Sequence, residues 1–494
     1  MDSTYDLFVL NGTVVTAVDI GRYDIAVKDG KIALLAPSGH LSNVPAKRII
    51  DAQGGYVMPG GIDAHVHLDE PALFGGDGRT SDTYESGSRS AIAGGTTTMV
   101  TFAPQEKTQP SLIKVLDDTH AKASGNTYCD YSFHLLLSNP TKQSLADFAA
   151  IRKAGVSSLK IYMTYEALQL RDNQILDVLL EARKQGITTM VHAENGDVLT
   201  WMTDQLEEHG RFAPKYHATS RPQLLEKEAT NRAIVLSEII DTPILVVHVS
   251  APPAAQAIRD AQTRGLPVYA ETCPQYLFLT REDLAHPGFE GAKCVCSPPP
   301  REKGDHDAIW RGLENGTFTI LSSDHCSFVY EDDKAGKKSI LSHEYPQGRF
   351  RYIPNGCPGI ETRLPLVLSA GRLSPQKFVE VTSTNPARLY GLYPRKGAFV
   401  PGVSDADMTI WYPSMEPFPL RNEQLHHNVD YTPYESHTMT QWPRFTILRG
   451  KVVYERENGG VIGTKGYGEF VPRGKSSLPG SQFREDWDAR LEAF

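Results

Sequence analysis

Between residues 57 and 395 the chain alternates short apolar runs with longer segments that carry apolar residues at helical spacing. This alternation favours a parallel sheet with helices outside it. We count about eight strand candidates, the number that closes a parallel barrel. They are residues 61–67, 96–102, 130–137, 158–163, 188–193, 244–249, 266–271 and 319–324. The sequence therefore predicts an α/β fold of the (β/α)8 TIM-type barrel class.

The two chain ends differ from the middle. Residues 9–15, 26–36 and 447–455 each place a turn pair ending in Gly between β-branched runs, which predicts three hairpins, and residues 406–412 predict another strand. We expect these strands to form one small β-sandwich into which the barrel is inserted. The predicted division is a β-sandwich from residues 1–57 and 396–470, a catalytic barrel at 58–395 and a C-terminal tail at 471–494, read as an arm or partly disordered.

Composition excludes several classes of protein. The 494 residues have a net charge of −9, so no basic surface is expected for nucleic acid. No run of about 18 apolar residues occurs, so we expect no membrane span, and the N-terminus lacks a cationic leader, so we expect a cytoplasmic protein. Six cysteines are too sparse for a disulfide framework, and Cys294 and Cys296 lack the second pair of a zinc knuckle.

Polar side chains occur near the ends of several predicted strands, where barrel enzymes build their sites. These residues are His65, His67, Lys160, His192, His248 and Asp324. His65 and His67 are two apart and point to one side of a strand. A single histidine here would be an ordinary hydrogen-bonded residue, but four with an aspartate predict ligands for zinc or a related divalent ion.

Lys160 is unusual in such a set, because dications would repel its ammonium group. It must be neutral, distant or chemically altered. A neutral amine can take up carbon dioxide, and the resulting carbamate could bridge two metals. The alternatives are a Schiff-base lysine and a surface lysine. The neighbouring ligands favour the bridge, and the apolar setting of residues 158–163 disfavours the surface.

Nine motifs together resemble the dihydropyrimidinase and hydantoinase branch of the amidohydrolases. They are HVH (65–67), SLKIYMTY (158–165), VHAENGD (191–197), HVS (248–250), ETCPQYL (271–277), CSPPPR (296–301), SSDHCSF (322–328), NGCPGIETR (355–363) and NPARLYGLYPRKG (385–397). The similarity extends to about residue 470. It implies a metal-dependent barrel with a β-sandwich, an N6-carboxylysine, and hydrolysis of the cyclic amide bond of dihydropyrimidines or hydantoins to N-carbamoyl amino acids.

The resemblance also implies individual roles. The first metal would be held by His65, His67, Lys160 and Asp324, and the second by Lys160, His192 and His248. Asp324 would also shuttle the proton from the attacking hydroxide, which the two metals share, to the leaving nitrogen. Tyr165 would bind the substrate and stabilise the oxyanion, and the main chains of Ser297 and Asn355 would hold the ring. Two Zn²⁺ ions are the expected cofactors.

Two segments depart from the family pattern. Residues 70–84 and 329–354 are expanded and polar, and we expect both to flank the pocket. Within the superfamily, Asp69 after Leu68 disfavours a dihydroorotase, which has arginine there. A cyclic imide hydrolase and an allantoinase-like enzyme stay open as alternatives. A non-catalytic scaffold, like the dihydropyrimidinase-related neuronal proteins, is disfavoured because all six ligand positions are filled.

The expected partner is a small cyclic ureide or imide. By analogy with the family we expect a homotetramer or a homodimer. Residues 429–436 and the tail resemble the region that packs against a neighbouring subunit, with a strap inside one chain as the alternative.

Overall fold

The computed structural model describes residues 4–41, 44–71 and 79–481. In chain order the strands are β1 (Tyr5–Val15), β2 (Ile20–Lys28), β3 (Lys31–Pro37), β4 (Ala46–Asp51), β5 (Tyr56–Pro59), β6 (Gly61–His67), β7 (Thr96–Pro104), β8 (Asp130–Leu136), β9 (Ser158–Tyr162), β10 (Thr188–His192), β11 (Ile244–Val246), β12 (Val268–Thr272), β13 (Ile320–Leu321), β14 (His325–Cys326), β15 (Met408–Trp411), β16 (Phe418–Pro419), β17 (Thr438–Met439), β18 (Pro443–Leu448), β19 (Lys451–Glu455) and β20 (Gly460–Val461). The α-helices are α1 (Tyr84–Ala93), α2 (Leu112–Ala123), α3 (Lys142–Ala146), α4 (Phe148–Lys153), α5 (Asp172–Gln185), α6 (Gly196–Glu208), α7 (Tyr216–Thr219), α8 (Gln223–Ile240), α9 (Pro252–Thr263), α10 (Gln275–Phe278), α11 (His306–Glu314), α12 (Arg363–Ala370), α13 (Pro375–Val379) and α14 (Asn385–Leu389), the last two joined by a π-helical turn at Glu380–Thr384.

Strands β6 to β14 form one parallel sheet in the order β13-β12-β11-β10-β9-β8-β7-β6-β14. Strands β13 and β14 follow each other along the chain, and β13 pairs with β12 while β14 pairs with β6. The sheet is therefore closed into a cylinder by an eighth strand that is interrupted at residues 322–324. The predicted (β/α)8 barrel is confirmed, and helices between the strands cover its outside.

Alternation along the strands separates the inside of the barrel from the outside. In β9, Leu159 and Ile161 belong to the large apolar cluster beneath the helices, whereas Tyr162 belongs to the cluster inside the barrel. Because side chains alternate along a strand, Lys160 faces the interior with Tyr162. This placement explains how a lysine comes to be buried in a strand.

The strands of both chain ends share a second, nine-stranded sheet that encloses its own apolar core, as predicted. Two of the predicted hairpins are present. Strands β2 and β3 are joined at Asp29 and Gly30, and β18 and β19 at Arg449 and Gly450, and all four residues have positive φ, as the tight hairpin turn requires.

The hairpin predicted at residues 9–15 is wrong. Strand β1 runs without a turn from Tyr5 to Val15, and its pairing with β2 shifts register between Val9 and Gly12. Asn11 has a φ of 58°, so the Asn-Gly pair forms a bulge within the strand instead of a turn. The same left-handed preference that favours a hairpin turn also favours a bulge, and pairing on both sides of the bulge decides between them.

The tail, as far as residue 481, lies along the N-terminal ends of the barrel strands. Tyr131 bonds through its main chain to Glu469 and Val471, and the buried guanidinium of Arg473 donates to the hydroxyls of Ser132 and Ser158. This part is an arm packed on the barrel, and residues 482–494 lie outside the described ranges. No helix in those ranges is both long and apolar enough to cross a bilayer.

Candidate metal centre and active site

A cavity of about 330 Å³ opens at the C-terminal ends of the barrel strands. Eight of the nine predicted site residues line it: His67, Lys160, Tyr165, His192, His248, Ser297, Asp324 and Asn355. The ninth, His65, is fully buried and touches Lys160. The barrel thus brings together every residue that the sequence assigned to the site.

His65, His67 and Asp324 form the tightest group of donors. Oδ1 of Asp324 lies 3.1 Å from Nε2 of His65 and 3.7 Å from Nε2 of His67. Strand β6 gains one residue over β7 between Asp63 and Val66, which is a bulge that re-aims the strand just before the second histidine. The potential ligand atoms of His65, His67 and Asp324 all lie within 4.8 Å of one another, so these three residues form a candidate site for a divalent metal.

Acidic partners fix the ring orientation of His65 and His67. Nδ1 of His65 lies 2.6 Å from Oε1 of Glu271, and Nδ1 of His67 lies 2.9 Å from Oε2 of Glu70. A ring nitrogen that donates to a carboxylate leaves the other nitrogen with a free lone pair for a metal. For His65 and His67 the nitrogen without a carboxylate backing it is Nε2, the atom next to Asp324, and in His65 this atom also contacts Nζ of Lys160 over 2.8 Å.

The other two histidines also lie close together, and the ring of His248 is 5.4 Å from that of His65, centroid to centroid. The rings of His192 and His248 lie 4.5 Å apart, centroid to centroid. Nε2 of His192 lies 2.8 Å from Oε2 of Glu194, which leaves the lone pair of Nδ1 for a metal. Nδ1 of His248 is buried and has no hydrogen-bond partner within the described part of the chain. A buried ring nitrogen without a hydrogen-bond partner, next to imidazoles that contact carboxylates through their other nitrogen, is typical of a metal-binding site.

Burial and neighbouring charges shift the pKa values of Asp324 and Lys160 at the centre of the site. Burial alone raises the pKa of Asp324, but the adjacent His65 and Lys160 outweigh it and hold this pKa at about 2. Burial lowers the pKa of Lys160, which favours its neutral amine. The Lys160 side chain also lies against the rings of Phe102 and Tyr162.

Tyr165, His248 and Asp324 all have left-handed backbones, with φ values of 64°, 38° and 50°. The strands expected at 244–249 and 319–324 end earlier, at Val246 and Leu321, so His248 and Asp324 lie beyond the ends of β11 and β13. Such conformations are uncommon for residues with a side chain and cluster at functional sites. They turn the side chains into the cavity.

At the wall of the cavity that Tyr165 lines, Nδ2 of Asn355 donates to Oη of Tyr165 over 3.3 Å. Oγ of Ser297 lies 3.4 Å from Nε2 of His217. The guanidinium of Arg221 lies 5.5 Å from the centre of the Tyr165 ring. These contacts join Tyr165 to Asn355 and to Arg221.

Sequence reasoning missed the acidic residues behind the ligands. Glu194 accepts hydrogen bonds from His192 and, over 2.6 Å, from Nη1 of Arg221. Oε1 of Glu271 contacts His65 and also accepts from the main-chain N–H of His248 over 3.1 Å, so it ties two candidate ligands together. The available signal was an acidic residue in or directly after an apolar strand.

A second acidic group, at Asp130, Asp405 and Asp407, resembles a metal site by its spacing. However, the ammonium of Lys396 lies 2.5–2.9 Å from all three carboxylates. Lys31 and Arg395 also pair with Asp405, and Arg449 pairs with Asp130, so the carboxylates already have cationic partners. We therefore assign the group to an ion-pair network between the barrel and the end sheet.

Comparison with known proteins identifies the family. The amidohydrolase family model matches residues 56–453. The chain belongs to the amidohydrolase family. This amidohydrolase is 40% identical to a D-hydantoinase of Ralstonia pickettii over 474 residues, covering 95% of this chain and 99% of that protein. It is 41% identical to a D-hydantoinase of Streptomyces coelicolor, covering 94% and 97%.

The solved dihydropyrimidinase of Brevibacillus agri is 38% identical to this amidohydrolase, with a TM-score of 0.89 and coverage of 96% and 99%. The resemblance drawn from the motifs is therefore confirmed. Parts of the two departing segments border the cavity, through Pro71 and Thr80 in one and Pro354 in the other, while residues 72–78 lie outside the described ranges.

Proposed function

We propose that this amidohydrolase opens hydantoin or dihydropyrimidine rings by hydrolysing one cyclic amide bond, which gives N-carbamoyl amino acids. The observation that carries the proposal is the convergence of four histidines, Lys160 and Asp324 on one cavity. The cavity has the size of a small-ligand site. The D-hydantoinase relatives, similar over nearly their whole length, support the same substrate class.

We further propose two Zn²⁺ ions and a carboxylated Lys160. His65, His67 and Asp324 would hold the first ion, His192 and His248 the second, and the carbamate of Lys160 would serve both. When bound, such ions polarise the substrate carbonyl and acidify water enough for attack at neutral pH. Two observations support this assignment: the carboxylate contacts of His65, His67 and His192 leave one ring nitrogen of each for a metal, and burial lowers the pKa of Lys160.

The chain's own residues would then guide the reaction. An oxygen of Asp324 would take the proton of the attacking water and return it to the leaving ring nitrogen. Oη of Tyr165 would donate to the carbonyl oxygen as negative charge develops there. The main chains of Ser297 and Asn355 would hold the amide and imide edge of the ring, where fixed geometry favours the reactive pose.

A hydrolysis panel tests the proposal. Dihydrouracil, dihydrothymine, substituted hydantoins, succinimide, dihydroorotate and allantoin would be incubated with the enzyme, with and without chelator. We expect turnover of hydantoins or dihydropyrimidines that chelator abolishes and Zn²⁺ restores. Turnover of only allantoin, dihydroorotate or succinimide would assign a different ring. A preparation that holds no stoichiometric metal and turns over none of these rings would favour a non-catalytic scaffold.

We also propose a homotetramer or a homodimer. Within one chain, Tyr431 and Tyr434 of the segment 429–436 are buried, and Asp430 accepts from the main chain of Tyr330. These contacts support a strap inside one chain as one role of the segment. Light scattering of the purified protein gives the mass of the assembly and decides its order.

A further inference from the structure

One lysine of the expanded segment 329–354 is directed into the protein. Lys337 starts a short 3-10 helix at Lys337–Ile340 and is fully buried. The neighbouring Lys338 is partly exposed and pairs with Glu331 over 2.6 Å. The two lysines therefore occupy opposite environments, although they are adjacent in a charged stretch.

Lys337 is buried without an acidic partner. Its Nζ donates to the main-chain oxygen of Pro354 over 2.9 Å and to that of Val295 over 3.3 Å. Within the described ranges no carboxylate lies within ion-pair distance of it. Burial lowers the pKa of Lys337. A buried amino group is costly unless its N–H groups are hydrogen-bonded, so these two carbonyls hold the Lys337 side chain in place and their own hydrogen-bonding capacity is satisfied by it.

The two carbonyls belong to the two segments that border the ring-binding side of the cavity. Pro354 directly precedes Asn355, and Val295 lies two residues before Ser297. The oxygen of Val295 also accepts from the main-chain N–H of Gly356 over 2.9 Å. Lys337 and this bond together fix the spacing between the segments.

We infer that Lys337 is a positioning residue that sets the distance between the main chains of Ser297 and Asn355, and so the fit of the ring's amide and imide edge. This inference rests on the proposed function. Lys337 does not line the cavity, so it acts from behind its wall. Removing the Lys337 amino group takes a hydrogen-bond donor from the carbonyls of Pro354 and Val295. The two segments that carry these carbonyls can then move apart.

Steady-state kinetics of the metal-loaded enzyme on hydantoin and dihydrouracil tests the inference. In Lys337→Met we expect KM to rise about tenfold or more, the size of effect that one lost buried hydrogen-bonding group produces, with kcat changed about threefold or less. Metal content should equal that of the wild type, because no candidate ligand contacts Lys337. Lys337→Gln, which keeps an N–H donor, should recover part of the rise in KM.

Lys338→Met is the matched control, since it removes the adjacent lysine with its ion pair to Glu331 and its contact with the Tyr330 ring, both away from the cavity wall. Its KM should equal that of the wild type. An unchanged KM in Lys337→Met, a loss of metal, or a fall confined to kcat would overturn the inference. So would failure of both Lys337 variants to fold, because Lys337 would then serve stability alone. If the wild-type enzyme opens neither ring, the proposed function is what fails.

Discussion

Nζ of Lys160 lies 2.8 Å from Nε2 of His65, and both side chains are shielded from solvent. Two positive charges at this distance in a poorly polarisable interior would repel each other strongly. The contact is therefore stable only when at least one of the two groups is neutral, and burial lowers the pKa of Lys160. A neutral amine is the form that adds carbon dioxide, so the contact favours the proposed carbamate.

Lys160→Ala should lose metal and at least about 10²-fold in turnover, because it removes the one donor that both ions would share. Metal analysis counts the bound ions, and carbon-13 NMR after incubation with labelled bicarbonate detects the carbamate in the wild type. The exposed Lys153 provides the control, and Lys153→Ala should keep both metal and turnover. Full metal and full turnover in Lys160→Ala would disprove the bridge.

Glu194→Gln should weaken metal binding by about 10- to 100-fold, because the carboxylate that orients His192 is lost. Burial alone raises the pKa of Glu194, but Arg221 and His192 hold it at about 2, so the side chain is an anion at neutral pH. Competition with a chromophoric chelator measures the affinity. Glu238→Gln is the control, since Glu238 also pairs with an arginine but on the surface. Equal affinities in both variants would show that Glu194 does not support the site.

Tyr165→Phe should lower kcat by about 10²-fold if its hydroxyl donates to the oxyanion. The main-chain oxygen of Tyr165 accepts from Leu168 and Gln169 over 2.7 and 2.6 Å, so a tight turn holds the ring in place without the hydroxyl. Metal content should therefore not change. Tyr352→Phe, on an exposed tyrosine, should have wild-type kinetics. If Tyr165→Phe raises KM but leaves kcat unchanged, the hydroxyl binds the ground state and the transition state equally and is not a specific donor to the oxyanion.

The barrel and the candidate ligands were predictable because their signals are local. Alternation along residues 158–163 places Lys160 inside the barrel, and a histidine or aspartate near a strand end indicates the C-terminal face. These patterns need only a few neighbouring residues. The structure accordingly places all predicted site residues at one cavity.

The details that sharpen the site depend on distant parts of the chain. Glu271 meets His65 only because β12 and β6 approach across the closed barrel. The left-handed backbones of His248 and Asp324 result from tertiary packing that overrides strand propensity. Asn11 shows the same limit, since a turn and a bulge have the same local signal and differ only in the pairing beyond them.

Lys396→Met should destabilise the fold by about 3–5 kcal/mol at pH 7, because it leaves Asp130, Asp405 and Asp407 buried without their shared cation. Urea denaturation measures the loss. Lys451→Met removes an exposed lysine of the end sheet and should cost less than about 0.5 kcal/mol. Equal stability of the two variants would mean that the network contributes nothing to the fold.

The cost of Lys396→Met should also depend on pH. Burial raises the pKa of Asp405, but Lys396 and its other partners outweigh burial and hold this pKa at about 2 in the folded protein, against about 3.9 in an unfolded chain. A pKa lowered by folding adds stability that is complete above about pH 4 and is lost as pH falls towards 2. The wild type should therefore lose stability between pH 4 and pH 2 more steeply than Lys396→Met, so that the difference between them narrows. Urea denaturation of both proteins at pH 7, 4 and 3 checks this. If the difference in unfolding free energy between wild type and Lys396→Met stays constant over that range, Lys396 does not lower the pKa of Asp405.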